Sequence, residues 1–308
     1  MSAPANLATE WRAGYGPIAH RSETIERMQA LVQRLVAQRR IADEASAHAL
    51  LAAADRVACT AMSVVAHMTY ARRIDRSGCP LGSDDFKQTP EGHTGGSLNM
   101  VPAFVGYLLA NALTGTTRGW LMGQGHCVAA IEAVNALTGD VSAAQRGRYD
   151  RSEAGLSLLI ADFYSYAIDK QGRPAVPLGS HAGPNTAGAI SEGGYLGFAG
   201  LQYVHTPLPG ESLVAFLSDG AFEEQRGSDW APRWWRAEDC GFAVPIMILN
   251  GRRIEQRTQI VQEGGAAWLA EDLRHHGFDP VIIDGRDPVA LAWAIVESED
   301  TLSAFAAQ

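Results

Sequence analysis

Asp219 and Asn250 are hard oxygen donors, each placed where an apolar run ends: SLVAFLSDG at 212–220 and VPIMILNG at 244–251. Short runs this apolar read as strands buried on both faces. The 23 residues between Gly220 and Val244 suffice for one crossover helix, so the second strand returns parallel to the first. Both side chains then reach the carboxyl edge of a sheet, where open α/β sheets take their ligands. One carboxylate, one amide oxygen and room for phosphate oxygens suit Mg²⁺, or Ca²⁺. The pair predicts a metal-diphosphate site.

Three histidines stand in glycine-rich, non-periodic contexts: EGHTGGS (His93), GQGHCVA (His126) and GSHAGPNTAG (His181). One of these alone reads as a turn histidine bonded to backbone carbonyls. Three of them, each flanked by small residues near strand ends or helix starts, favour ligand contact. GQGH leads into the helical run CVAAIEAVNAL, which puts His126 at a helix start, where unpaired backbone N–H groups favour a phosphate. One diphosphate could touch His126, Asp219 and Asn250 together. His67 lies inside an Ala-rich helix and reads as an interior or interface residue. His275 and His276 sit near a helix C-terminus, where positive charge suits the dipole.

The elements that must position these groups follow from periodicity. Residues 21–40 carry Ile25, Met28, Leu31, Leu35 and Val36 at helical spacing. Residues 45–72 form a longer, small-residue helix. A turn-rich stretch at 76–96 precedes a helix at 98–113, a strand at 119–123 and a helix at 128–138. Residues 171–194 read as an active-site loop leading into a helix. A helix around 266–276 and a last strand at 280–283 follow the two metal-edge strands. The expected fold is a doubly wound α/β domain with a mainly parallel sheet flanked by helices. Residues 1–75 form a helical segment packing on it, and residues 76–308 form the diphosphate-binding domain.

Composition agrees with this class. The chain has 308 residues, 46% of them hydrophobic and a net charge of −9, which argues against nucleic acid as the main partner. No continuous apolar run approaches the ~18 residues of a membrane span, and the N-terminus lacks the pattern of a signal peptide. Four scattered cysteines without a CxxC read as reduced thiols of a cytoplasmic protein.

Over roughly residues 90–290 the chain resembles the thiamine diphosphate-binding half of the transketolase superfamily, which includes phosphoketolases. EGHTGGSLNMVPAFVGYL is similar to the first transketolase motif, and GQGHCVAAIEAVNALTG to the second. SHAGPNTAGAISEGGYLGFA resembles the third in its phosphoketolase version. LSDG through ILNG is similar to the GDG…N cofactor signature, with Leu-Asn-Gly its phosphoketolase spelling. The resemblance implies that Asp219 and Asn250 hold Mg²⁺ by side-chain oxygens and Arg252 by its carbonyl. It implies that Gly220 lets the backbone approach the diphosphate and that His126 bonds a phosphate oxygen. Gly188 would offer its carbonyl to the aminopyrimidine, with Ile190 packing nearby. His93 and His181 would bind substrate hydroxyls and shuttle protons. Glu224, or Glu223, falls where transketolases carry an acidic residue at the subunit contact.

Some residues depart from the pattern. Ser218 replaces the first glycine of GDG, and Ala221 stands where phosphoketolases have glutamate. The segment QRGSDWAPRWWRAEDC at 225–240 reads equally as a packed helix with a solvated basic face or as a partner-docking surface. In this family a glutamate on a second domain activates the cofactor, and the 308 residues leave no room for that domain. The expectation is a diphosphate-binding subunit working with a separate pyrimidine-binding subunit, as a heterotetramer. Its reaction would be transfer of a two-carbon ketol unit from a ketose of the sugar or sugar-phosphate class to an aldose. Phosphoketolase-like cleavage, ketose epimerisation and a non-catalytic binding subunit are the alternatives. A nucleotide-binding reading of GQGHCVAA lacks the GxGxxG spacing.

Overall fold

Met28, Leu31, Val32 and Leu35 recur at helical spacing and form the buried stripe of α2 (Ser22–Ala37), which follows a short α1 (Pro4–Ala13). A computed structural model describes residues 4–176, 212–224, 242–253 and 256–307 of the chain. The long helix α3 (Glu44–Tyr70) starts at Asp43, whose side chain accepts the Ser46 N–H at 2.7 Å. Such a cap satisfies a donor that the first helical turn leaves unpaired. Helix α4 (Thr94–Thr114) is buried nearly all round, and Gly115 ends it in the left-handed conformation. Helix α5 (Val128–Thr138) is followed by the shorter α6 (Ala143–Arg146) and α7 (Glu153–Asp162). By length and composition α3 and α4 could each cross a bilayer. A scan for continuous apolar runs misses this, because polar residues interrupt both helices. In the fold they pack on each other and on α5.

The sheet among the described residues has three parallel strands in the order β1 (Gly119–Met122), β2 (Ser212–Ser218), β3 (Phe242–Ile248). Trp120 lies opposite Val214, and Val214 opposite Val244. Alternation along β2 sends its residues into two cores. Val214 and Phe216 join the large core with α3, α4 and α5. Leu213, Ala215 and Leu217 join a second core with Leu121 and residues from the C-terminal part of the chain. These come from α9 (Gln259–Glu263) and α10 (Ala266–His275), which follow α8 (Asp219–Glu224) in the chain. Apolar burial on both faces makes the layer order that of a doubly wound α/β domain.

The last helix, α11 (Pro288–Ala306), packs against α4 and contacts α2 and α3. Glu299 on it receives a fork from Arg118, with Nε at 2.7 Å and Nη2 at 2.6 Å, and accepts the Ser212 hydroxyl at 2.7 Å. Arg118 immediately precedes β1 and Ser212 opens β2, so one bidentate pair fastens α11 to the amino edge of the sheet. The Tyr107 hydroxyl donates to the Arg118 carbonyl at the same corner.

The structure corrects one predicted element. Residues 280–283 form no strand, and Val281 and Ile282 are exposed. Apolar composition alone does not make a strand, since the segment also needs a neighbour whose donors and acceptors it can pair. The segment is held instead at its end, where Asp284 binds Arg286 and Arg21. Helices α1, α6, α7, α9 and α11, and the two-residue strands β4 (Arg252–Arg253) and β5 (Gln256–Arg257), are additions to the predicted order.

His20 lies fully buried between two carboxylates, with Nε2 2.9 Å from Asp55 on α3 and Nδ1 3.0 Å from Asp287 at the N-cap of α11. The second contact has the distance of an ion pair without the angle of a good hydrogen bond. Trp11, also fully buried, packs its ring against His20 and His48. Burial alone would lower the His20 pKa, but Asp287 and Asp55 outweigh it and raise it from 6.5 to about 10. A histidine whose folded pKa is raised stabilises the fold fully below its unfolded pKa, and that contribution is lost as pH climbs through the folded value. The urea midpoint of the chain is therefore expected to fall as pH rises from about 6.5 to about 10. His20→Gln should flatten that slope and lower stability on the order of 3 kcal/mol at neutral pH, since it strands two buried carboxylates. A slope unchanged in the variant would assign the pH dependence elsewhere.

Candidate active site

Asp219 ends β2 and starts α8, and its side chain is wholly buried. Oδ1 accepts the Gly220 N–H at 3.0 Å. Oδ2 accepts the Gly251 N–H at 2.8 Å and the Thr258 hydroxyl at 3.2 Å. Burial raises the Asp219 pKa, and the bonds from Gly251, Thr258 and Gly220 oppose that rise. Gly251 adopts φ +73°, and a Cβ there would lie 2.7 Å from Val261 Cγ2. Only glycine takes that turn without strain, and the turn is what aims the Gly251 N–H at the carboxylate.

Asn250 sits one residue earlier and is exposed to the cleft, with Oδ1 accepting the Arg252 N–H at 2.9 Å. The Arg252 carbonyl approaches Gly220, 3.5 Å from where a Cβ would stand. A carboxylate, an amide oxygen and a main-chain carbonyl thus gather at the ends of β2 and β3. This donor set is all oxygen and fits Mg²⁺ or Ca²⁺. The fit is also electrostatic, because Asp219 is a desolvated carboxylate whose hydrogen-bond donors among the described residues include no cationic side chain, and a cation beside it would offset the cost of burying its charge.

His93 is the N-cap of α4, where its Nδ1 accepts the Gly96 N–H at 3.0 Å. In the neutral ring the proton then resides on Nε2. His126 lies in a 3₁₀ turn, Gly125–Cys127, that runs into α5. The loop before it is pinned to the sheet by the Gly123 N–H on the Phe216 carbonyl at 2.8 Å. The two imidazoles meet edge to face with centroids 4.3 Å apart. Both are exposed to the cleft, yet the protein mass around His126 disfavours charge, and burial with the nearby His93 lowers its pKa to about 4. At neutral pH His126 is an uncharged donor-acceptor. Cys127 is buried behind the pair, and burial pushes its thiol up to about 12.

One cleft of about 1860 Å³ is lined by His93, His126, Gly220, Asn250 and Arg252 together. The sequence-predicted residues on β1–α5 and on β2–β3 therefore face a common space. Asp219 lies beneath its surface. Glu223 is engaged elsewhere: Oε1 accepts the Ile260 N–H at 2.6 Å, and Oε2 lies 3.8 Å from Arg253. The side chain of Glu224, the third histidine His181, and Gly188 and Ile190 lie outside the described residues, as does the Trp-rich segment 225–240. Sequence reasoning passed over Thr258, Gly251, Gly96 and Cys127. Gly251 and Gly96 stood inside quoted motifs, but Thr258 carries no local signal.

Residues 46–304 match the family described as "XFP N-terminal domain". The chain belongs to that family. Among curated relatives it is 26% identical over 229 residues to "Probable phosphoketolase 2" of Lactiplantibacillus plantarum, covering 72% of this chain and 27% of that protein. It is 33% identical over 129 residues to "Probable phosphoketolase" of Streptomyces coelicolor, covering 40% of this chain and 16% of that protein. A "Probable phosphoketolase" of Pseudomonas putida is 25% identical over 230 residues, covering 72% of this chain and 27% of that protein. The chain thus spans about a quarter, or less, of the length of these relatives.

Gly96 decides how closely the two histidine-bearing elements approach. A Cβ there would lie 2.7 Å from Cys127 Sγ and 2.7 Å from His93 Nδ1, whereas at Gly95 it would meet nothing within 4 Å. Gly96→Ala should push His93 off its cap and lower stability by about 1–3 kcal/mol, the range for overpacking. Gly95→Ala should be neutral or stabilising, since alanine is the better helix former. Thermal unfolding of the two variants side by side checks this. Equal midpoints would show that the His93–Cys127 contact places no constraint on α4.

Proposed function

We propose that this chain is the diphosphate-binding part of a thiamine diphosphate- and Mg²⁺-dependent enzyme that cleaves a ketose, of the sugar-phosphate class, between C2 and C3. The single observation that carries the reading is the convergence of Asn250, Arg252 and His126 on one cleft, with the buried Asp219 carboxylate tied to the Gly251 turn beneath it, in a chain of this family. Asp219, Asn250 and the Arg252 carbonyl would hold the metal, and Gly220 leaves room for the diphosphate. Uncharged His126 would donate its N–H to a phosphate oxygen. His93, whose Nδ1 is held by the Gly96 N–H, would present Nε2–H to a substrate hydroxyl. His181 would act beside it, and Gly188 and Ile190 would seat the aminopyrimidine. When bound, thiamine diphosphate supplies a nucleophilic carbon and an electron sink; the protein supplies binding, orientation and electrostatics.

Release of the two-carbon unit as an acyl phosphate, with inorganic phosphate as acceptor, is favoured by the relatives' names and by the spelling of the LSDG…ILNG segment. Transfer of the unit to an aldose, as in transketolases, is the second reading, and the His93 and His126 motifs favour it. The pyrimidine-binding unit is taken to be a separate subunit, with Glu224 at the contact in a heterotetramer. Support for a second unit is the length of the relatives, of which this chain matches about a quarter or less.

The test is calorimetric titration of thiamine diphosphate with Mg²⁺ into the chain, alone and mixed with a pyrimidine-binding subunit. Binding is expected with the subunit present, and Asp219→Asn should weaken it by about tenfold or more, as loss of a charged metal ligand warrants. The same mixture given a ketose phosphate and inorganic phosphate should release an acyl phosphate, an aldose phosphate and water if the first reading holds, or consume an added aldose if the second does. No cofactor binding in either case would refute the metal-diphosphate site, and full affinity in Asp219→Asn would refute the ligand assignment.

A further inference from the structure

His93, His126 and Cys127 offer two imidazole nitrogens and a sulfur whose ligand atoms all lie within 4.8 Å of one another. None of the hard-oxygen donors of the Asp219 edge belongs to this group. The approach has a structural cause. Gly96 has no side chain, and the space a Cβ would fill is 2.7 Å from both Cys127 Sγ and His93 Nδ1. Two elements far apart in sequence therefore bring a nitrogen and a sulfur together over one glycine, and His126 adds the third donor, its ring 4.3 Å from that of His93.

We propose that these three residues form a second cation site, selective for a soft or borderline divalent metal of the Zn²⁺ class and separate from the hard site at Asp219 and Asn250. Two nitrogens and one sulfur are what Zn²⁺ takes, and they leave a fourth position open to the cleft. Mg²⁺ and Ca²⁺ prefer oxygen and gain little here. In a tetrahedral zinc site, ligand atoms stand about 3.5 Å apart, so the three side chains must close by about 1 Å. The exposed imidazoles can rotate to do so, while the sulfur is fixed by burial. Binding breaks the S–H bond of Cys127 and forms a metal–sulfur bond, with the proton released to solvent. If Nδ1 is the ligand atom of His93, the Gly96 N–H loses its acceptor, so metal binding competes with the α4 cap. Occupancy also removes His126 from phosphate contact. That consequence rests on the function proposed above, whereas the site itself does not.

Co²⁺ titration into the metal-stripped chain reads the site directly, because thiolate ligation gives a sulfur-to-cobalt charge-transfer band. The expected result is that band, saturating at one equivalent, abolished in Cys127→Ser and left intact in Cys59→Ser. His126→Gln, at an exposed position that should not endanger folding, should retain the band with affinity weakened about tenfold or more, since even outer partners of metal ligands command that scale. Excess Mg²⁺ should leave the band untouched. A band that persists in Cys127→Ser, an unchanged affinity in His126→Gln, displacement by Mg²⁺, or no band in the wild-type chain would each overturn the proposal. Thiamine diphosphate takes no part in the experiment, so failure of the cofactor reading would leave this result standing.

Discussion

The hydrogen bond from the Gly251 N–H to the Asp219 carboxylate is the constraint on which the rest of the site depends. It joins the ends of β2 and β3 through a buried charged acceptor, the strong kind of hydrogen bond. Register makes it possible: Ser218 pairs with Ile248, so the next residues of both strands leave the sheet side by side. Thr258 completes the grip, donating its hydroxyl to the carboxylate and its N–H to the Gly251 carbonyl at 3.1 Å. The turn that carries Asn250 and Arg252 is thereby tied to the strand end that carries Asp219. A slip of one residue would invert every side chain of β3 between the two cores.

The opposite wall of the cleft is built from helices. His93 caps α4 and His126 precedes α5, and both helices are buried against α3 in the large core. The β1–α5 loop is anchored to β2 through the Gly123 N–H, so one strand positions both walls. A site assembled from a helix cap, a helix start and two strand ends needs little rearrangement to receive an anion and a cation. Burial without compensating charge keeps His126 neutral at physiological pH, while two carboxylates keep His20 charged. The same side chain thus serves as a neutral polar group in the cleft and as an ionic fastener in the interior.

Sequence patterns made the strands and the site legible where periodicity and punctuation coincide. Apolar runs ending in Asp219 and Asn250, and glycines flanking His93 and His126, were readable because each is a local arrangement with a local physical reason. The partners of Asp219 were half visible: Gly251 followed Asn250 in the run, but Thr258 belongs to the far side of a two-strand turn and leaves no pattern. The strand expected at 280–283 shows the limit. Its residues are apolar enough, but a strand exists only if a neighbour supplies donors and acceptors, and that pairing leaves no trace in the local pattern. His20 was illegible for a related reason, since its two carboxylates come from opposite ends of the chain.

The partners of His20 are widely separated in the order of synthesis. His20 emerges early in synthesis and Asp55 soon after, but Asp287 belongs to the last helix. Closing a contact across nearly the whole chain carries a loop entropy that local helix pairing does not. Until α11 arrives, α1 and α2 can pack on α3, and α3 on α4 and α5, with His20 holding one of its two carboxylates. Docking of α11 therefore supplies the second carboxylate and closes the ionic cluster that joins α11 to α3 through His20.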